Sequence, residues 1–223
     1  MTRRVCAAVT ILVLAFAGSA MAQSRGQVTV FGGYTLSDGV TGASVKAGDG
    51  QIYNAVDVKD SFNWGFQFGV NATENLEIGF QFDQQRSQLN INGPATSRDV
   101  GSMSVNGYHP YVAFNFFTSD AKIRPFVMVG LGATNYGAVS FTRTGGSAAS
   151  TNGETQLSGT VGGGVKIVAT PRVGLHVGVQ WTPTYIKSNA TGWWCDPYWG
   201  CYVVGSAQYA NQFAFNGGVT VRF

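Results

Sequence analysis

Eight segments of the chain alternate between apolar residues and polar or small residues with a period of two. The clearest pair covers residues 62–82, where two alternating runs flank a polar turn at 71–75. Successive side chains of a β-strand point to opposite faces, so each run predicts a strand with one apolar and one polar face. The other runs lie at residues 28–36, 108–116, 127–131, 157–167, 173–181 and 213–223. None of them has the 3.6-residue period of a helix.

The connections between these runs also alternate in length. Three are short, at 71–75, 118–122 and 169–172, and four are long and rich in Gly, Ser, Asn and Asp, at 37–60, 86–101, 137–155 and 187–207. Short turns at one end and long loops at the other are typical of an up-and-down barrel. The sequence therefore predicts an all-β, antiparallel barrel of about eight strands.

Two arguments indicate which face of the strands is inside. The interior of an eight-stranded barrel is just wide enough for side chains to fill, and turning Phe66, Phe68, Phe80 and Phe82 inward would overfill it. The polar face consists of Asn, Gln, Ser, Thr and Gly, and only 11% of the 223 residues are charged, against roughly 25% in soluble domains. We therefore expect the aromatic face to contact lipid in a transmembrane barrel with periplasmic turns and extracellular loops. The alternative is a soluble, lipocalin-type barrel with its apolar face inward.

The N-terminal 22 residues have the features of a secretory signal peptide. Arg3 and Arg4 precede an apolar stretch at 5–17, and Ala20-Met21-Ala22 is a small-x-small cleavage site. We expect cleavage after Ala22, leaving residues 23–223 as one barrel domain exported to a Gram-negative outer membrane. The formal charge of +3 is small and scattered, which excludes a nucleic-acid partner.

Three stretches carry a resemblance to a known family: Val28-Thr29-Val30-Phe31-Gly32-Gly33-Tyr34, residues 124–132, and the last strand, which ends in Phe223. In these the chain resembles the eight-stranded outer-membrane barrels of the OmpA transmembrane-domain, OmpX/Ail and opacity-protein type. The resemblance implies lipid and lipopolysaccharide as surroundings. It also implies that Phe223 is the C-terminal aromatic signal read by the barrel-assembly machinery.

A group of charged residues falls on the predicted inner face. Its members are Glu77, Asp83, Lys166, His176 and Arg222, accompanied by Gln67, Gln81, Gln180 and Asn216. Buried charges are tolerable only when they are paired. They could line a narrow pore or form a hydrogen-bonded plug, and we favour the plug because eight strands leave little free bore.

The fourth long loop has an unusual composition. Cys195 and Cys201 are expected to form a disulfide, because export passes through an oxidising compartment. Around them lie the aromatic residues Trp193, Trp194, Tyr198, Trp199 and Tyr202. These aromatics are either a recognition element for an extracellular or host ligand or a flap over the barrel mouth.

Catalytic or metal chemistry has little support in the sequence. The only histidines, His109 and His176, lie in no recognisable catalytic motif, and the cysteines and histidines lack zinc-site spacing. We therefore expect no enzyme, cofactor or metal. The leading hypothesis is a structural or surface-interaction role, in adhesion or envelope integrity, carried by the loops. The alternatives are a narrow porin-like channel or small-solute transporter and, less favoured, a lipid-modifying enzyme of the envelope.

Overall fold

The computed structural model describes residues 26–38, 40–46, 52–94, 97–118, 121–142, 148–150, 153–186, 195–196, 200–201 and 208–223. Eight long strands form its main body: β1 (Gly26–Ser37), β2 (Ser61–Asn71), β3 (Leu76–Asn92), β4 (Ser97–Asn115), β5 (Ile123–Tyr136), β6 (Glu154–Val168), β7 (Val173–Ile186) and β8 (Gln208–Arg222). Each pairs antiparallel with the next in the chain, and β8 pairs with β1. The predicted eight-stranded up-and-down barrel is confirmed. In the described part of the chain, no helix has the length and apolarity needed to cross a membrane.

The seam between the first and last strands closes the barrel. The β1–β8 ladder runs from Gln27 opposite Arg222 to Ser37 opposite Gln212. Beyond it, the Gly26 and Phe223 backbones exchange hydrogen bonds of 3.1 and 3.0 Å. Closure pairs the strand edges that an open sheet would expose.

The apolar faces of the strands point outward, as expected. Phe62 is 63% exposed, and its neighbours along β2 alternate between exposed aromatic and buried polar or small residues. Rings from adjacent strands also pack together on the outside, with Phe82 5.4 Å from Phe66 and 5.3 Å from Tyr108 between ring centroids. The exposed aromatic residues of the barrel wall are Tyr34, Phe62, Trp64, Phe66, Phe68, Phe80, Tyr108, Phe114, Trp181, Tyr209, Phe213 and Phe215.

Four aromatic residues lie on the inner face of the strands, opposite the apolar face that was expected to contact lipid. Phe31, Tyr111, Phe126 and Tyr136 are buried. Inward glycines make the room: a Cβ on Gly79 would lie 2.5 Å from Cζ of Tyr111. The lumen is therefore filled by a few large rings set against glycines as well as by polar side chains.

The prediction of a long loop at 86–101 is also wrong. β3 and β4 continue to Asn92 and from Ser97, with 17 and 19 residues, whereas a membrane crossing needs about 9–11. In the extension the polarity of the faces reverses, because Leu89, Met103 and Val105 point inward and are buried. The outer face of this extension contacts water instead of lipid, which explains the reversal. Because of the reversal, the extension lacks the alternation of outward apolar residues that predicted the membrane-spanning part of β3 and β4.

Short strands from two other predicted loops join this extension. A hairpin of Val40–Lys46 and Ile52–Val58 pairs with the end of β3, from Ala55 opposite Asn92 to Val58 opposite Leu89. On the other side, Ser140–Thr142 pairs with β4 and with Ala148–Ser150. The long-loop rim thus carries a sheet that continues one side of the barrel wall.

Candidate functional site

An ion pair crosses the lumen near the short-turn end. Lys166 Nζ on β6 lies 2.5 Å from Glu77 Oε2 on β3, and both side chains are almost completely buried. The carboxylate also accepts hydrogen bonds from the Tyr111 hydroxyl at 2.8 Å and from Asn115 Nδ2 at 3.3 Å. Glu77 therefore has three partners from two other strands, β4 and β6, as a buried carboxylate requires.

Further basic groups surround this pair. Arg124 stands directly opposite Lys166 in the β5–β6 ladder and donates to the Glu74 carbonyl at 2.8 Å. Arg222 is buried and attracted to Glu77. His176 is opposite Lys166 in the β6–β7 ladder, and its ring centroid lies 5.0 Å from that of Phe126. This end of the lumen is therefore positive, with Glu77 as the carboxylate that binds Lys166.

Glutamine side chains cross the middle of the lumen. Gln81 Nε2 on β3 donates to Gln180 Oε1 on β7 at 2.8 Å, and β3 and β7 are opposite each other in the eight-stranded order. Gln67 Nε2 donates in turn to Gln81 Oε1 at 2.8 Å. This row of amides spans the full width of the barrel.

A layer of hydroxyl groups and one histidine lies beside the glutamines. His109 Nε2 is 2.8 Å from Ser158 Oγ, which also accepts from Thr134 Oγ1 at 2.9 Å. A histidine at this distance can activate a serine nucleophile, but His109 is 0% and Ser158 2% exposed. Thr184 Oγ1 extends the chain to Thr134 at 3.3 Å. The hydroxyl groups and the histidine of this layer form a continuous chain of hydrogen bonds. This chain links β4, β5, β6 and β7.

Two small voids lie in the lumen among the residues that the structure describes. One is lined by Asp83, Asn63, Asn216 and neighbouring glutamines, the other by Phe31, Phe126, His176 and Gln180. Each has a volume of about 10 Å³, roughly enough for a single water molecule. Neither void is a passage for a solute.

The structure brings only some of the predicted site residues together. Glu77, Lys166, His176 and Arg222 share the short-turn end, whereas Asp83 lies nearer the long-loop rim, where it accepts a hydrogen bond of 3.0 Å from Gln81 Nε2. The side chain of Phe223 is exposed outside the barrel. Trp193, Trp194, Tyr198, Trp199 and Tyr202 lie outside the described residues.

The backbones of Cys195 and Cys201 are directly opposite each other in a two-residue ladder, Cys195–Asp196 against Gly200–Cys201. This arrangement is compatible with the expected disulfide, which stays a prediction. Within the described ranges, no three His, Cys, Asp or Glu side chains gather as a metal site.

Sequence reasoning missed several lumen residues. Tyr111 and Asn115 bind Glu77, Arg124 faces Lys166, and Ser158 binds His109. Strand parity could have found them, because each is separated by an even number of residues from an inward position of its own strand. Three of them, Tyr111, Asn115 and Ser158, are uncharged and were therefore not considered as lumen charges.

A closed sheet with an apolar outside and a polar, filled interior defines a transmembrane β-barrel. The chain belongs to the outer membrane protein β-barrel domain family, whose model matches residues 8–223. This membership makes it an outer-membrane protein of the Gram-negative type. No protein among the curated sequences matches the chain.

Solved structures agree with this fold. Neisserial surface protein A (NspA) is 17% identical with a TM-score of 0.54, covering 91% of this chain and 100% of that one. The N-terminal β-barrel domain of Pseudomonas aeruginosa OprF is 13% identical with a TM-score of 0.50, covering 91% and 100%. The outer membrane protein AlkL, solved in lipid bilayers, is 14% identical with a TM-score of 0.54, covering 92% and 94%. At these identities the likeness shows the fold alone.

Proposed function

We propose that this protein is a non-conducting outer-membrane barrel that presents its extracellular loops for surface interaction and contributes to the integrity of the envelope. The observation that carries the proposal is the hydrogen bond between Gln81 and Gln180, which joins opposite walls of the lumen. Together with the Glu77–Lys166 pair below it, this bond crosses the path that a solute would take. A filled lumen is a rigid support rather than a conduit.

The sheet at the long-loop rim supports the interaction part of the proposal. It includes the ends of β3 and β4, which are much longer than a membrane crossing requires. Apolar residues such as Leu89 and Met103 are buried inside it. An ion pair of 3.1 Å between Lys59 and Asp99 links its connecting segment to β4. Loops held on a rigid scaffold are the usual carriers of recognition. The candidate recognition residues are Trp193, Trp194, Tyr198, Trp199 and Tyr202, on the sequence argument given above.

A narrow channel is the second candidate. The side chains of Asp83, Gln212 and Asn216 near the long-loop rim are partly exposed, so water reaches the outer part of the lumen. Conduction would then need the glutamine row and the ion pair to open together.

Single-channel recording in planar bilayers separates the two candidates. We expect the refolded wild-type barrel to give no steady openings. The variant Q81G/Q180G/E77A/K166A, which removes both the cross-lumen amides and the ion pair, is the positive control and should conduct. Ion-selective openings of the wild type that change in Lys166→Gln would refute the closed barrel and support the channel.

The role of the aromatic loop is tested separately, on intact cells. Replacement of residues 193–202 by a Gly-Ser segment should reduce binding to host surface glycans or proteins and leave the detergent sensitivity of the envelope unchanged. The control replaces the ten residues 141–150 of the third long loop in the same way. Equal binding by both variants would contradict the assignment of recognition to the aromatic loop.

The export route is also a proposal. Cleavage after Ala22 would give a mature protein beginning at Gln23, and intact-mass spectrometry of the outer-membrane fraction measures this directly. Phe223 would act as the assembly signal, and lipopolysaccharide would surround the outer half of the barrel. Retention of residues 1–22 on the assembled protein would contradict the signal peptide.

A further inference from the structure

Two asparagine amides meet in the outer part of the lumen above a glycine. Gly33 on β1 has Asn63 of β2 on one side and Asn216 of β8 on the other, in the same row of the sheet. Because Gly33 has no side chain, Asn63 Nδ2 reaches Asn216 Oδ1 at 3.0 Å. Both amide oxygens lie close to the position that a Cβ of Gly33 would occupy, at 2.9 Å for Asn63 and 2.5 Å for Asn216.

One of these oxygens has no partner. Asn63 is 3% exposed, and its Oδ1 accepts no hydrogen bond. It belongs to the lining of the void of about 10 Å³ that also contains Asp83. A buried acceptor without a partner costs free energy unless a bound species satisfies it.

Asp83 brings a carboxyl group to the same void. The residues directly opposite it in the two ladders are Gly65 and Gly107, so no opposing side chain packs against the carboxylate in its own row. Gln81 donates one hydrogen bond to Oδ1, and among the described residues no Lys or Arg forms a salt bridge with it. His109, on the neighbouring strand β4, interacts electrostatically with it. The carboxylate thus lacks the compensating cation that a lumen charge needs.

We propose that Asp83, Asn63 and Asn216 form a binding site for a single hard cation of the Ca²⁺ class, reached from the extracellular mouth. Carboxylate, amide and water oxygens are the ligands that such cations take. The volume fits one ion, and the partial exposure of Asp83 and Asn216 gives it a route from the outside. With one carboxylate, the affinity should be that of weak extracellular sites, with a Kd of about 10⁻⁴–10⁻³ M.

The test is calorimetric titration of CaCl₂ into the full-length barrel, refolded without lipopolysaccharide in an uncharged detergent. We expect one saturable site in the wild type. Asp83→Asn should abolish it, and Asn63→Ala should weaken it by about tenfold, because the affinity for Ca²⁺ follows the number and charge of the oxygen ligands. Glu154→Gln is the matched control, because it removes one negative charge from the same rim outside the void, and its Kd should equal that of the wild type.

A gain-of-function variant guards against loss through misfolding. Asn63→Asp places a second carboxylate at the void and should lower the Kd by at least about tenfold, because affinity follows the number of charged ligands. Heat-shift electrophoresis establishes that each variant is folded. Three results would each overturn the site: no saturable heat in the folded wild type, unchanged binding in folded Asp83→Asn, or no tightening in folded Asn63→Asp. The first of these would mean that the void holds water only.

Discussion

Glu77 and Lys166 belong to strands that are not neighbours, yet their side chains meet at 2.5 Å across the lumen. The two partners are not equivalent. The positive charges of Arg124 and Arg222 also act on Lys166, whereas Glu77 is the carboxylate that holds this group together. Removing the carboxylate of Glu77 therefore leaves several positive charges together in a buried space. Removing the ammonium group of Lys166 leaves Glu77 with other cations nearby.

Substitution of the two partners should consequently have unequal effects. We expect Glu77→Gln to lower the free energy of unfolding by about 3–5 kcal/mol, the usual cost of breaking a buried pair, and Lys166→Met to cost less. The double variant E77Q/K166M should be more stable than Glu77→Gln alone. Urea unfolding in lipid vesicles measures all three. Equal losses for the two single variants would show that the neighbouring arginines do not contribute.

The contact between Gly79 and Tyr111 gives a second prediction. A Cβ on Gly79 would meet the Phe68 carbonyl oxygen and the Tyr111 ring, so Gly79→Ala should destabilise the barrel by about 1–3 kcal/mol through overpacking. Gly217→Ala is the control, because a Cβ there meets nothing within 4 Å. Its effect should stay within about 0.5 kcal/mol. Similar unfolding midpoints for both variants would refute the packing of the lumen described here.

The facing backbones of Cys195 and Cys201 give a third prediction. A disulfide between them should protect both thiols from alkylation in the denatured, unreduced protein, and reduction should expose both. Mass spectrometry after iodoacetamide treatment counts the modified cysteines. Cys6 should be absent from the mature chain if residues 1–22 are removed. Labelling of both cysteines before reduction would exclude the disulfide.

Phe223 gives a fourth prediction, about assembly. Its backbone completes the seam with Gly26, while its side chain is 62% exposed on the outside of the barrel. Phe223→Ser keeps the backbone bonds and removes only the ring, so the amount of protein in the outer membrane should fall although export into the periplasm continues. Quantitative blotting of membrane fractions measures the change, with Phe215→Ser as a control for the loss of one lipid-facing ring. Equal membrane levels for both variants would contradict a special role of the terminal residue.

The alternation of apolar and polar residues was enough to predict the barrel, because strand geometry sends successive side chains to opposite faces. The eight runs correspond to β1–β8, and the size of Phe66 or Phe80 was enough to predict that the apolar face is outside. Residues such as Glu77, Lys166 and His176 were placed on the inner face for the same reason. These conclusions need only local periodicity and the volume of the interior.

The sequence misled where the surroundings of a strand change along its length. Beyond the lipid, water lies outside β3 and β4, so Leu89 and Met103 turn inward and the two strands continue through a segment that was predicted as a loop. Strand parity indicates the face of Tyr111 but not the room for its ring, which depends on Gly79 on the neighbouring strand. Neither relation can be seen in one segment of sequence.

The sequence by itself determined the closed barrel and which face of each strand lines its interior. Only the tertiary structure decided the partners within that lining: Glu77 with Lys166, Gln81 with Gln180, and Asn63 with Asn216 above Gly33. The physical reason is that periodicity determines the face on which each side chain lies but not its position along the barrel axis. That position depends on the stagger of the strands around the closed barrel, which is a property of all eight ladders together.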